Sequence, residues 1–171
     1  MQAVDMSGIV CIGDSVLLMS SDSVRAFLPD CYIDAEISRY VGGGLEVAKA
    51  YEAKGLLGDS VVISLGTNGP IAGHERYEEQ TLELLEYLGP RRHVFWVNVY
   101  CPDPWQQTNN DYIKKLAAER ANVTEVDWYG LISKHPEWLT DDETHPEVEG
   151  SRAYAQLIHD RIRETLANER K

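Results

Sequence analysis

Three short groups of residues combine types that suit acyl chemistry. The first is Gly13-Asp14-Ser15, a hydroxyl that follows a short apolar run and precedes Val16-Leu17-Leu18. If Val16-Leu17-Leu18 opens a helix, the first-turn N–H groups lie beside the hydroxyl and can stabilise a developing anion. The same residue types also favour a plain helix cap. The second group is Asp142-Glu143-Thr144-His145-Pro146. A serine hydroxyl is a poor nucleophile until a base takes its proton, and histidine is the side chain best suited to that task. The spacing lets Asp142 orient His145 from within one turn; Asp141 is a rival orienter with a poorer spacing. Pro146 suits the start of a last helix, with His145 at its mouth. The third group is Gly66-Thr67-Asn68. Asparagine offers an amide N–H to an oxyanion, and glycine lets a loop approach a substrate closely. Asn68-Gly69-Pro70 is equally a turn signal.

Positioning these groups requires a scaffold, and the apolar pattern supplies one. Short apolar runs at 8–12, 31–37, 60–65, 93–99 and 122–127 read as strands. Helical spacing over 45–57, 77–88, 109–121 and 148–167 reads as helices, the last with Tyr154, Leu157, Ile158, Ile162 and Leu166 along one stripe. Strands alternating with helices form a parallel sheet covered on both faces. Residues 1–171 suit a single domain. In such sheets ligands bind beyond the carboxyl ends of the strands. That rule selects Gly13-Asp14-Ser15, Ser38-Arg39, Gly66-Thr67-Asn68, residues 100–105 and Asp127-Trp128.

Composition narrows the partners. The formal net charge is −12 with no Lys/Arg cluster, so nucleic acid and anionic membrane surfaces are poor partners. No apolar run reaches the roughly 20 residues of a membrane span, and residues 1–7 do not resemble an export signal. Cys11, Cys31 and Cys101 have neither zinc-site nor C-x-x-C spacing and read as small buried residues. A Cys11–Cys31 bridge requires their strands to be neighbours. No motif points to a cofactor or a resident metal. His74, His93, His135 and His159 lack partner spacing and suit surface or capping roles.

With its three blocks in this order, the chain resembles the SGNH (GDSL-like) hydrolase superfamily over about residues 9–162. The resemblance implies a flavodoxin-like three-layer α/β/α fold on a five-stranded parallel sheet, and metal-free acyl chemistry. It implies Ser15 as nucleophile, His145 as base and then acid, and Asp142 as orienter. Asn68 and the Ser15 backbone N–H would form the oxyanion hole, with Asp14, Gly66 and Thr67 beside the substrate. Arg39 stands where the family's second-block glycine is expected; its backbone N–H could still donate, or its side chain could re-aim the pocket. Gly42-Gly43-Gly44 lies too far along to replace that glycine.

Gly-Asp-Ser-Val, Ile-Asp-Ala-x-x-Ser-Arg, Leu-Gly-Thr-Asn-Gly, Asp-Trp and the segment from His135-Pro136-Glu137-Trp138-Leu139 to His145 are similar to the extracytoplasmic C-terminal domain of peptidoglycan O-acetyltransferases. That implies a small acyl-ester donor, a glycan acceptor and an acetyl-Ser15 intermediate, with hydrolysis as the side reaction. It also implies a membrane acyltransferase domain ahead of this one, placing it on the extracytoplasmic face of a bacterial membrane; a chain complete in itself would be cytoplasmic. Trp105 is expected to line the site as a sugar-stacking face, Tyr100 and Trp128 are further aromatic candidates, and Trp96 suits the core. Competing readings are a carbohydrate esterase, lysophospholipase or thioesterase on the same fold. A metal phosphoesterase using Asp14, Asp141, Asp142 and His145 is another, and a binding module without catalysis is the last.

Overall fold

A computed structural model describes residues 4–168 of the chain. Its sheet is parallel and consists of β1 (Val10–Gly13), β2 (Tyr32–Ala35), β3 (Ser60–Ser64), β4 (His93–Val97) and β5 (Val123–Val126), in the order β2-β1-β3-β4-β5. This is the flavodoxin-like order, in which the carboxyl ends of β1 and β3 flank the switch point. Alternate side chains leave a strand on opposite faces. Val10, Ile12, Val61, Ile63 and Trp96 pack under α3 (Val41–Ala53), α4 (Glu75–Leu88) and α5 (Gln106–Glu119). Cys11, Val62, Phe95 and Val97 pack under α1 (Ser15–Met19), α2 (Ser21–Phe27), α6 (Trp128–Ile132) and α7 (Val148–Asn168). The two cores make the expected three layers. Both faces of β1 and β3 are buried, which is why those runs are continuously apolar.

Two expectations differ from the structure. Gly42-Gly43-Gly44 lies inside α3, which starts earlier than the predicted 45–57. The reason is close packing: a Cβ on Gly44 would stand 2.9 Å from Leu65 and 3.0 Å from Leu84. Pro146 does not open the last helix, which begins at Val148; it forms an isolated bridge with Leu139 instead. The short helices α2 and α6, and a 3-10 turn at Pro136–Trp138, were not legible in the apolar spacing. Although β1 and β2 are neighbours, Cys11 and Cys31 are free thiols, as is Cys101. No helix among the described residues is long and apolar enough to cross a membrane.

Candidate active site

Ser15 is the first residue of α1, directly beyond the end of β1. Its N–H belongs to the helix's opening turn and has no partner within the helix. His145 comes from the loop before α7, and its Nε2 lies 2.8 Å from Ser15 Oγ. Asp142 Oδ2 lies 2.6 Å from His145 Nδ1. The three predicted residues therefore form one continuous relay, and Asp141, the rival orienter, is not in it.

The loop is built to hold this geometry. Asp142 Oδ1 accepts from Thr140 Oγ1 at 2.7 Å and from the Thr144 and His145 N–H groups at 2.9 Å each. The Thr140 N–H donates to the His145 carbonyl at 2.8 Å, and the Glu147 N–H to the Trp138 carbonyl at 2.7 Å. Partial desolvation pushes the Asp142 carboxyl up, but the donors from His145, Thr140 and Thr144 outweigh it and hold the group well below the usual carboxylate range. Asp142 thus stays ionised beside the His145 imidazole.

Asp14, expected beside the substrate, has no exposed surface. Its Oδ1 caps α1 by accepting the Val16 N–H at 3.0 Å, and its Oδ2 is buried on the Thr67 side without a bond of standard length. It is a buried cap that fixes the turn carrying Ser15. Burial pushes its carboxyl up to about 6, against the opposing pull of Val16, Thr67 and His145. Between about pH 4 and 6 the native state then holds a proton that the unfolded chain has released, so this group's contribution to stability falls as pH rises. Relative to Asp14→Asn, the wild type should lose about 3 kcal/mol between about pH 4 and 7. Urea unfolding of both proteins across that range measures it; a difference independent of pH would refute the buried-carboxyl assignment.

The third block is held from below by a residue that sequence reasoning missed. Asn109, fully buried in α5, donates to the Gly66 carbonyl at 2.9 Å and the Gly69 carbonyl at 3.0 Å. Its Oδ1 accepts the Ile71 N–H at 2.9 Å. Gly66 takes φ 127°, open to glycine and strained for other residues. Thr67 and Asn68 are thereby raised at the sheet edge, half-buried. Asn109→Ala would orphan three backbone groups. It is expected to cost about 2–4 kcal/mol in urea unfolding and to lower kcat by displacing Asn68. Unchanged stability would show that the loop stands without it.

The second block requires a correction. The Arg39 N–H is engaged with the Glu36 carbonyl at 3.3 Å, so it is not a free oxyanion donor. Its guanidinium is a clamp, donating to the Gly13 carbonyl at 3.2 Å, the Asp34 carbonyl at 2.8 Å and Asp34 Oδ1 at 2.8 Å. The side chain ties the end of β1 to the end of β2 and does not enter the pocket as a ligand. The glycine-like conformation falls one residue earlier, on Ser38, at φ 61°. A sequence shows the residue type at such a turn but not the sign of φ. The Arg39 carbonyl accepts from Asn68 Nδ2 at 3.3 Å, joining second and third blocks.

Of the aromatic candidates, Trp105 is half-buried beside the third block, donating from Nε1 to the Thr67 carbonyl at 3.2 Å. Trp96 is core, as expected, and bonds the Leu65 carbonyl. Trp128 is also core, edge-on to Tyr154, so it offers no face to a ligand. Tyr100 is half-buried against Tyr129. His74 caps α4, and His135 stacks on Trp138.

No model of a known protein family matches the chain. It is 32% identical over 149 residues to the peptidoglycan O-acetyltransferase of Listeria monocytogenes, covering 87% of this chain and 23% of that protein. It is 32% identical over 148 residues to an O-acetyltransferase of Staphylococcus aureus, covering 86% of this chain and 24% of that one. The chain thus spans about a quarter of the length of the curated relatives it matches. The C-terminal catalytic domain of the Streptococcus pneumoniae peptidoglycan O-acetyltransferase, solved with a methylsulfonyl adduct, superposes with a TM-score of 0.76 at 27% identity, covering 95% of this chain and 93% of that one. An acetylxylan esterase from Geobacillus stearothermophilus has a TM-score of 0.64 at 18% identity, covering 90% and 93%, a likeness of fold alone.

Proposed function

This chain belongs to the SGNH (GDSL-like) hydrolase superfamily, and on that premise we propose that it moves an acetyl group from a small ester donor to a hydroxyl of a cell-wall glycan. The observation that carries the reading is the relay from Asp142 through His145 to Ser15, at 2.6 and 2.8 Å. His145 takes the Ser15 proton as Oγ attacks the donor carbonyl. The C–O bond to the donor alcohol then breaks, and His145 returns the proton to that alcohol. The acceptor hydroxyl next attacks acetyl-Ser15, giving its proton to His145, which passes it to Ser15 Oγ as that ester bond breaks. Asn68 Nδ2 has a second proton beyond the one on the Arg39 carbonyl. That proton, the Ser15 N–H and the Ser38 N–H form the oxyanion hole of this proposal. Asp142 and His145 have their polar atoms committed to each other, to the loop and to Ser15, which favours a serine mechanism over a metal phosphoesterase.

The named activities of the relatives support acetyl as the group moved. A carbohydrate esterase is the second reading, favoured by the half-exposed Asp142 side chain, which leaves the relay open to water. The chain's share of its relatives' length supports a further proposal: it is one domain of a longer membrane acyltransferase and works on the extracytoplasmic side. Aryl esters of increasing acyl length, each with and without a chitooligosaccharide, test these readings. Acetyl should be preferred by about tenfold or more over longer chains, and acetylated sugar should form. Efficient cleavage of long chains would point to a lysophospholipase or thioesterase, and hydrolysis alone to an esterase.

A further inference from the structure

Of the seven large apolar side chains exposed among the described residues, five lie close in the chain to the site residues, and Tyr32 and Tyr87 lie elsewhere. Leu18 and Met19 follow Ser15, Val148 follows His145, and Ile37 and Tyr40 flank Ser38 and Arg39. Tyr40 has the most specific setting. It is the N-cap residue of α3, with an extended backbone at φ −91° and ψ 166°. It is 58% exposed, with one edge of its ring against Gly69. A Cβ on Gly69 would stand 2.8 and 2.9 Å from two ring carbons, so the ring lies directly over the glycine's open side. Gly69 is the neighbour of Asn68, and the Asn68 amide donates to the carbonyl of Arg39, the neighbour of Tyr40. The third block itself is anchored to buried Asn109. Tyr40 is therefore an aromatic face set against Gly69 beside the candidate oxyanion donor, with most of its surface open to solvent. Trp105 borders the same block at Thr67.

We propose that the Tyr40 ring is the platform on which the acceptor sugar stacks as its hydroxyl approaches acetyl-Ser15. This deepens, and rests on, the acetyl-transfer reading. A pyranose ring presents a face of C–H bonds with hydroxyls around its rim. A flat aromatic ring buries that face by dispersion and removes apolar surface from water, while the rim hydroxyls stay solvated. The formal net charge of −12 disfavours an anionic acceptor, so a neutral oligosaccharide is the class that fits. The contact with Gly69 places the ring beside the third block, where an acceptor stacked on it would lie next to Asn68.

The test separates this platform from the acetyl-transfer reading by measuring sugar binding without chemistry. A chitooligosaccharide is titrated into Ser15→Ala, and into the same protein also carrying Tyr40→Ala, Tyr40→Leu or Tyr40→Phe, with binding followed by NMR. Tyr40→Ala should weaken binding by about tenfold. Tyr40→Leu, which keeps an apolar cover over Gly69 without a flat face, should lose as much, and Tyr40→Phe should retain binding. In the Ser15 background, Tyr40→Ala should lower the ratio of acetyl transfer to hydrolysis by a similar factor. That ratio is set after acetyl-Ser15 forms, so a change in acylation rate cancels from it. Absence of sugar binding by Ser15→Ala, equal binding by all variants, or full binding by Tyr40→Leu would each overturn the platform. Failure of wild-type protein to acetylate Ser15 would instead overturn the acetyl-transfer reading, and leave the binding result to stand by itself.

Discussion

Ser15→Ala is expected to reduce turnover of an aryl acetate by about ten-thousand-fold or more, with the fold intact. The size follows from what the hydroxyl does. Without it there is no atom to form the acyl intermediate, and His145 is left facing a methyl group. Donors that stabilise an oxyanion can still assist attack by water, so a small residual rate should remain. The substitution removes one oxygen from a nearly buried residue at the start of a helix whose cap, Asp14, is untouched. Thermal unfolding should therefore change little. Steady-state kinetics on both proteins, with circular dichroism as the control, measures the effect. Retention of most activity would remove Ser15 from the mechanism.

The second large effect belongs to Asp142→Asn, with an expected loss in kcat of about a thousand- to ten-thousand-fold and a much smaller change in KM. The asparagine oxygen can replace Oδ1 and keep the bonds from Thr140, Thr144 and His145. Its amide nitrogen then faces His145 Nδ1 where Oδ2 stood, and it donates where the carboxylate accepted. The imidazole is driven to the tautomer that carries its proton on Nε2, toward Ser15, and it can no longer take the serine proton. The loop should hold its shape while the base is silenced. In the wild type Asp142 is ionised well below the usual carboxylate range. Its pH–rate profile should then show no loss that tracks an ordinary carboxylate. A variant with near-normal kcat would mean that His145 is oriented by something else.

How much of this was legible in the sequence differs by element. The strand ends were, because buried parallel strands are continuous apolar runs, and a run that stops at Gly13-Asp14-Ser15 places chemistry at the edge. Asp142 and His145 were legible because their spacing is local. Asn109 was not: it is one polar residue on an amphipathic helix, and its three partners lie about 40 residues away in the chain. The start of α3 was read at residue 45 instead of Val41, because glycines add nothing to an apolar pattern and the close packing that places Gly44 against Leu84 is not visible in it. At Arg39 the engagement of its N–H by Glu36, and the positive φ one residue earlier on Ser38, were not legible, because a sequence shows residue type and not backbone conformation. Asp14 was misread because burial is a property of the packed turn, and an acidic residue beside a nucleophile looks like a ligand until its carboxylate is found under the helix.

The most direct test of the account is to look for the intermediate. The wild-type protein is mixed with an aryl acetate, quenched in acid within the first turnovers, digested and examined by mass spectrometry. The expected result is one acetyl group on the peptide containing Ser15, absent from Ser15→Ala and discharged when a chitooligosaccharide is added before the quench, with the acetyl recovered on the sugar. Turnover of the acetate with no acetyl on Ser15, or an acetyl on another residue, would contradict it.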